Sequence, residues 1–214
     1  MLAIPALIAS AAFYQSAGFV GVVGNWKDVN DGGAAFRVDT AGWNGKTERA
    51  ALQTMARSLF GTVNDTFVTN GLAPLAFPFA VHADTRDFRG GSIRVQFKLV
   101  GGASDQIAGI MFNLKPNGEY FFARYNTKDG NLAVWRYQNG ARARIADGEA
   151  HLQLPLNAWH ELVMTVKGNQ LSASVTGTSL KQEVTLPEPV SGRVGLWTKR
   201  DAISVFRNYR VTRD

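Results

Sequence analysis

Apolar and polar positions alternate with a period of two along most of the second half of the chain. At 92–100 (SIRVQFKLV), Ile93, Val95, Phe97 and Leu99 share one face, and Arg94, Gln96 and Lys98 the other. That is the pattern of a half-buried strand. The stretch 105–137 holds three apolar-rich runs separated by Pro116-Asn117-Gly118 and by Lys128-Asp129-Gly130-Asn131. Both separators supply residues that tolerate positive φ, so two successive hairpins and a three-stranded meander are predicted. Further strands are expected at 141–146, 151–154, 158–167, 170–176, 180–186, 193–199 and 203–211, with Asn139-Gly140, Gly168-Asn169 and Gly177 at turns between them.

The first third is less regular. Residues 25–40 read as a short hairpin, with Trp26 and Val29 before an Asp31-Gly32-Gly33 turn and Phe36 and Val38 after it. At 47–60 the period changes. Ala51, Met55, Ala56, Leu59 and Phe60 fall on one side at helical spacing, with Thr47 as the expected N-cap and Gly61 as the stop. The period of two returns from Thr66, so this is expected to be the one substantial helix, covering an open end or edge of a sheet. Pro74 and Pro78 assign 73–82 to an edge strand or bulge. More than ten short strands and one helix do not fit βαβ units. The expectation is an all-β, two-sheet antiparallel sandwich with one N-terminal helix.

Composition adds bounds. A chain of 214 residues that is 45% hydrophobic and 19% charged has apolar area enough to fold, and no cysteine is available for a disulfide, a thiolate nucleophile or a zinc–thiolate site. The net charge is +6, with five basic residues (Lys199, Arg200, Arg207, Arg210, Arg213) against two acids in 199–214. No basic block of five or six residues and no nucleic-acid-binding motif accompanies it, so nucleic acid is not an expected partner. Residues 1–17 (MLAIPALIASAAFYQSA) are too short for a membrane span. They are read as a signal peptide with Ala9-Ser10-Ala11 at its cleavage site, or as an N-terminal extension. Residues 18–214 form the domain, and the location expected is secreted or periplasmic.

The second half also resembles a known family. The order Asp105-Gln106, Gly109-Ile110, Phe112, Gly118-Glu119-Tyr120, Arg124, Asn126, Gly140, Arg142, Trp159-His160, Leu162, Val166, Gly168 and Gly192–Lys199 with Asp201 is similar to that of concanavalin A-like, laminin G-like jelly-roll proteins. Within them it resembles exported bacterial proteins of the 3-keto-disaccharide hydrolase-like group, loosely placed with family 16 glycoside hydrolases. The resemblance covers about 77–214. It implies a curved two-sheet jelly roll and leaves a glycoside-processing enzyme open. Phe206-Arg207-Asn208-Tyr209 stands where these proteins often carry a Phe-Asp-Asp-like stretch, so acids that would hold a cation there are missing.

Retaining glycoside hydrolysis requires two carboxyl groups about 5 Å apart. The strand motif Glu-x-Asp-x-x-Glu that would supply them is absent, and the nearest acid pairs (Glu48 and Glu161, Asp147 and Glu149, Glu183 and Glu188) lack that arrangement. His82, His151 and His160 come with no Gly-x-Ser-x-Gly elbow and no metal-ligand spacing. His160 is expected to face the core as a hydrogen-bonded structural histidine. No catalytic residue, metal ligand or cofactor is therefore assigned; a structural calcium on turn oxygens of Asp105, Asp129 or Asn131 is the sole cofactor alternative.

The remaining candidate lies on the meander. In 119–126, Tyr120, Phe122, Arg124 and Asn126 alternate with Glu119, Phe121, Ala123 and Tyr125, so both faces carry aromatics. Such a strand is covered on both sides or lines a groove. Arg124 keeps its charge and needs an acceptor: in a buried setting, an acid such as Asp105 or Asp201; in a groove, a ligand. The ligand reading groups Tyr120, Arg124, Asn126, Trp135 and Tyr137 with Trp197, Lys199 and Asp201 on a concave sheet. Rings and fixed polar groups of this kind suit carbohydrate or another extracellular polymer. A purely structural or protein-interaction domain is the remaining alternative.

Overall fold

A computed structural model describes residues 15–16, 18–39, 47–73, 77–199 and 201–214. The expectations placed on 1–14 and 17, on 42–45, on Pro74 and on Arg200 lie outside them.

Fifteen strands and two helices occur among the described residues. The strands are β1 (Gln15–Ser16), β2 (Phe19–Val23), β3 (Trp26–Asn30), β4 (Ala34–Asp39), β5 (Phe79–His82), β6 (Gly91–Gly101), β7 (Ile107–Leu114) and β8 (Tyr120–Asn126). They continue as β9 (Asn131–Gln138), β10 (Ala141–Asp147), β11 (Trp159–Lys167), β12 (Gln170–Val175), β13 (Lys181–Thr185), β14 (Arg193–Trp197) and β15 (Ile203–Arg213). The helices, α1 (Arg49–Phe60) and α2 (Asp65–Leu72), fall between β4 and β5. One sheet has the order β1-β2-β5-β14-β7-β8-β9-β10, and the second the order β13-β12-β11-β6-β15-β4-β3, with every pairing antiparallel. The expected sandwich is present, and the residues before position 75 contribute to both of its sheets.

The inner faces meet in one core. Ile93, Val95, Phe97 and Leu99 of β6, all fully buried, face Ile110, Phe112, Phe121, Ala123 and Tyr125 of the first sheet. Alternation alone places them there. The reversals also form as their residues require: Gly118 (φ 81°), Gly130 (φ 69°) and the pair Asn139 and Gly140 (φ 53° and 73°) all sit in the left-handed region at hairpin turns.

A second core lies outside the sandwich. Leu52, Met55, Ala56 and Leu59 of α1 and Phe67 and Val68 of α2 pack onto the outer face of the first sheet. Ala51 and Phe60, assigned to the packed side, are only part-buried, and Leu52 takes the central place. The N-cap is Glu48 rather than Thr47, without a side-chain bond; Gly61, at φ 74°, ends the helix as expected.

Three further expectations are corrected. There are two helices, not one: α2 forms because the Asn64 side chain accepts from the Thr66 backbone N–H at 2.8 Å, and its Phe67 and Val68 find a sheet to cover. Its Thr, Val and Gly content hides it from a periodicity reading. Strand β5 is not at an edge but between β2 and β14; the alternative of a bulge is met by the irregular pairing with β2 between Gly21 and Val23, and Pro78 stands just before the strand, where its missing N–H costs no ladder bond. Residues 151–154 form no strand.

Candidate functional site

The outer face of the first sheet is divided into a sealed half and a polar half. Register sets the division. Tyr120, Phe122, Arg124 and Asn126 of β8 stand opposite Tyr137, Trp135, Ala133 and Asn131 of β9, and Arg142 and Arg144 of β10 stand opposite Tyr137 and Trp135.

At the sealed end, the helices and Phe77 cover the aromatics. Trp197 is fully buried; its ring stacks on Phe122 (centroids 3.9 Å apart) and lies 5.2 Å from Phe77, and its Nε1 donates to Tyr120 Oη at 3.3 Å. Tyr120 and Tyr137 stack at 4.9 Å, and Tyr137 Oη donates to the Asn70 carbonyl of α2 at 2.8 Å. Asn70 Nδ2 in turn donates to the Asn117 carbonyl in the β7–β8 turn at 2.9 Å, and Arg193 donates to the Leu59 carbonyl of α1. Burial raises the Tyr137 phenol to about 12 and the Tyr120 phenol well above its ordinary value. Both therefore stay neutral, Tyr137 as the donor to Asn70 and Tyr120 as the acceptor from Trp197.

Toward the β8–β9 turn the face becomes polar. Arg124 is buried at 5% exposure, and burial lowers its pKa while Asp129 and Asp147 act to raise it. Its Nη1 donates to Asn131 Oδ1, and its Nη2 lies 3.3 Å from Asp129 Oδ2. Asn126 Nδ2 donates to the same Asp129 oxygen at 2.8 Å, and Asn131 Nδ2 donates to Asp147 Oδ1 at 2.5 Å. Arg144 binds the other oxygen of Asp147. Arg124 is thus held by Asp129, not by Asp105 or Asp201. Asp105 pairs with Lys199 at 2.8 Å, and Asp201 accepts from the backbone N–H groups of Ser104 and Asp105.

Trp135 is the part-buried ring between the two halves. It lies parallel to Phe122 at 6.3 Å, and three guanidiniums approach it: Arg142 at 4.7 Å, Arg144 at 5.2 Å and Arg124 at 5.9 Å from the ring centroid. Its Nε1 is buried without an acceptor.

Of the residues proposed from sequence, Arg124, Asn126 and Trp135 therefore share one polar cluster. Tyr120, Tyr137 and Trp197 lie beneath the helices, and Lys199 and Asp201 form a separate anchor around 104–105. Arg142 and Arg144 join this cluster without being among the site residues that the sequence proposes. The signal that finds them is the Asn139-Gly140 turn, which sets β10 beside β9 and carries alternate residues onto the face of Trp135. His160 packs on Phe97 at 5.6 Å, and its buried Nε2 lacks a hydrogen-bond partner.

No protein-family model matches the chain, and no curated protein does. Solved structures do. The carbohydrate-binding module CBM66 from Bacillus subtilis superposes with a TM-score of 0.62 at 16% identity, over 90% of this chain and 93% of that one. The fold is a concanavalin A-like jelly roll. Bacillus licheniformis β-glucanase follows at a TM-score of 0.47 and 16% identity, over 64% and 72% of the two chains. Chicken galectin 2 has a TM-score of 0.44 and 7% identity, over 59% and 93%. Among the described residues no helix is long and apolar enough to cross a membrane.

Proposed function

We propose that this jelly roll is a carbohydrate-binding domain of an exported protein, holding its ligand at the polar half of the helix-covered sheet without transforming it. The observation that carries the reading is the construction of that half-face. Buried Arg124, Asn126 and Asn131 are locked to Asp129 and Asp147, and they form a stiff floor beside Trp135, with Arg142 and Arg144 at the rim. Saccharides suit fixed polar groups next to a ring, because their hydroxyls need partners whose geometry is set in advance. The coextensive likeness to a carbohydrate-binding module supports the same reading. The floor carboxylates are already bonded to amide and guanidinium groups, an arrangement suited to positioning rather than to proton transfer.

The test is electrophoresis of the protein through gels containing a panel of neutral and acidic polysaccharides, followed by calorimetric titration of those that retard it. Retardation by at least one polymer, diminished in Trp135→Ala at preserved fold, is expected. Migration unaffected by every polymer overturns the proposal, and release of sugar from a retarding polymer replaces binding with catalysis.

A further inference from the structure

Resting on that reading, we infer that the saccharide is acidic, and that its carboxylate or sulfate oxygens are taken by Arg142 and Arg144 where they converge on Trp135.

Three observations carry this. First, the charges around the ring do not cancel. Arg124, Arg142 and Arg144 approach it, while the nearby acids are Asp129, which takes Arg124 and Asn126, and Asp147, which takes Arg144 and Asn131. Arg142 has no carboxylate partner among the described residues; its neighbours are the rings of Trp135 and Phe77, at 4.7 and 5.4 Å. Second, those rings hold the Arg142 fork in place before any ligand arrives. A stacked guanidinium loses less freedom on forming paired hydrogen bonds, and its planar donors match carboxylate and sulfate oxygens. The guanidiniums occupy positions from which a neutral pyranose would otherwise stack on Trp135. Third, the buried Nε1 of Trp135 is a donor without an acceptor beside these cations. A buried unpaired donor is destabilising, and an anionic oxygen entering at the rim would relieve it. Arg144, paired to Asp147 but with a side chain 53% exposed, stands on the solvent side of the pair, where it can share its fork between Asp147 and an arriving anion.

Titration against polygalacturonate, its carboxyl-reduced neutral product, dextran sulfate and unmodified dextran tests the inference. Binding to polygalacturonate, to dextran sulfate or to both is expected, weakening as salt is raised from 50 to 500 mM. The two acidic polymers separate carboxylate from sulfate as the source. Arg142→Gln is expected to weaken that binding about tenfold or more, with an unchanged melting temperature. Arg142→Lys, which keeps the charge but not the planar fork, should fall between. Lys167→Gln, on the second sheet, makes the same change in net charge and should bind as wild type. Equal losses in Arg142→Gln and Lys167→Gln would reduce the effect to overall charge and overturn the assignment. Binding to the reduced polymer or dextran as tight as to the acidic ones would overturn it while leaving carbohydrate binding intact. Failure of all four polymers, with retardation by none in the wider panel, would remove both.

Discussion

Replacing Trp197 with alanine separates a sealed aromatic from one that meets a ligand. Its side chain is fully buried, stacked on Phe122 and capped by Phe77, beneath a face that α1 and α2 cover. An aromatic of this size buries about 150–250 Å², which at about 25 cal/mol per Å² sets a ceiling of roughly 4–6 kcal/mol. Measured truncations of Phe or Trp to alanine in cores cost about 3–5 kcal/mol, because the surroundings collapse only in part. The expected loss is therefore about 4 kcal/mol, a large fraction of the roughly 5–15 kcal/mol that stabilises a domain. Equilibrium unfolding in guanidinium chloride, monitored by far-UV circular dichroism at constant slope, measures it. A loss below about 1 kcal/mol would refute the packing argument. If polysaccharide binding vanished at that same unchanged stability, Trp197 would belong to the ligand surface.

Tyr137→Phe removes the only described side-chain donor to the Asn70 carbonyl, which keeps the Ala73 N–H, and should cost about 0.5–1.5 kcal/mol in the same unfolding assay; a neutral result would refute a net contribution from this bond. Gly195→Ala places a methyl carbon 1.9 Å from the Ala80 carbonyl oxygen, a contact with backbone that no rotamer relieves. It should yield insoluble protein or a loss above about 3 kcal/mol, read by soluble yield and melting temperature, and a stable variant would contradict the β5–β14 spacing. His82 is half-buried, and burial lowers its pKa from 6.5. As pH falls below 6.5 the unfolded chain takes up the proton first, so its contribution opposes folding progressively until the folded-state pKa is passed. Melting temperature should drop less between pH 7 and 5 in His82→Gln than in wild type, and parallel profiles would exclude this source.

Much of this architecture is legible from residue order. The alternation at 92–100 places Ile93 to Leu99 in the core, and the turn residues at 116–118, 128–131 and 139–140 set the meander. Strand β8 also announces, by aromatics on both faces, that it is either covered twice or lines a groove. Periodicity cannot choose between these, because it says which way a side chain points and not what lies above it. The choice was made by α2, whose helical character depends on an Asn64 cap and on contacts with a distant sheet. The same limit applies to Arg124. Its need for an acceptor is plain from its neighbours, but the identity of Asp129 depends on how a four-residue turn folds back. Arg142 and Arg144 become neighbours of Trp135 only once the register across the β9–β10 hairpin is fixed.

Strand β15 occupies the interior of the second sheet, between β6 and β4, although it comes after all the other described strands in chain order. A ribosome making this chain must therefore release residues 203–213 before that layer can close. Until then β6 and β4 each expose an unpaired edge. Deleting those eleven residues would remove a middle plank of the layer, leaving two half-sheets open to pairing with other chains.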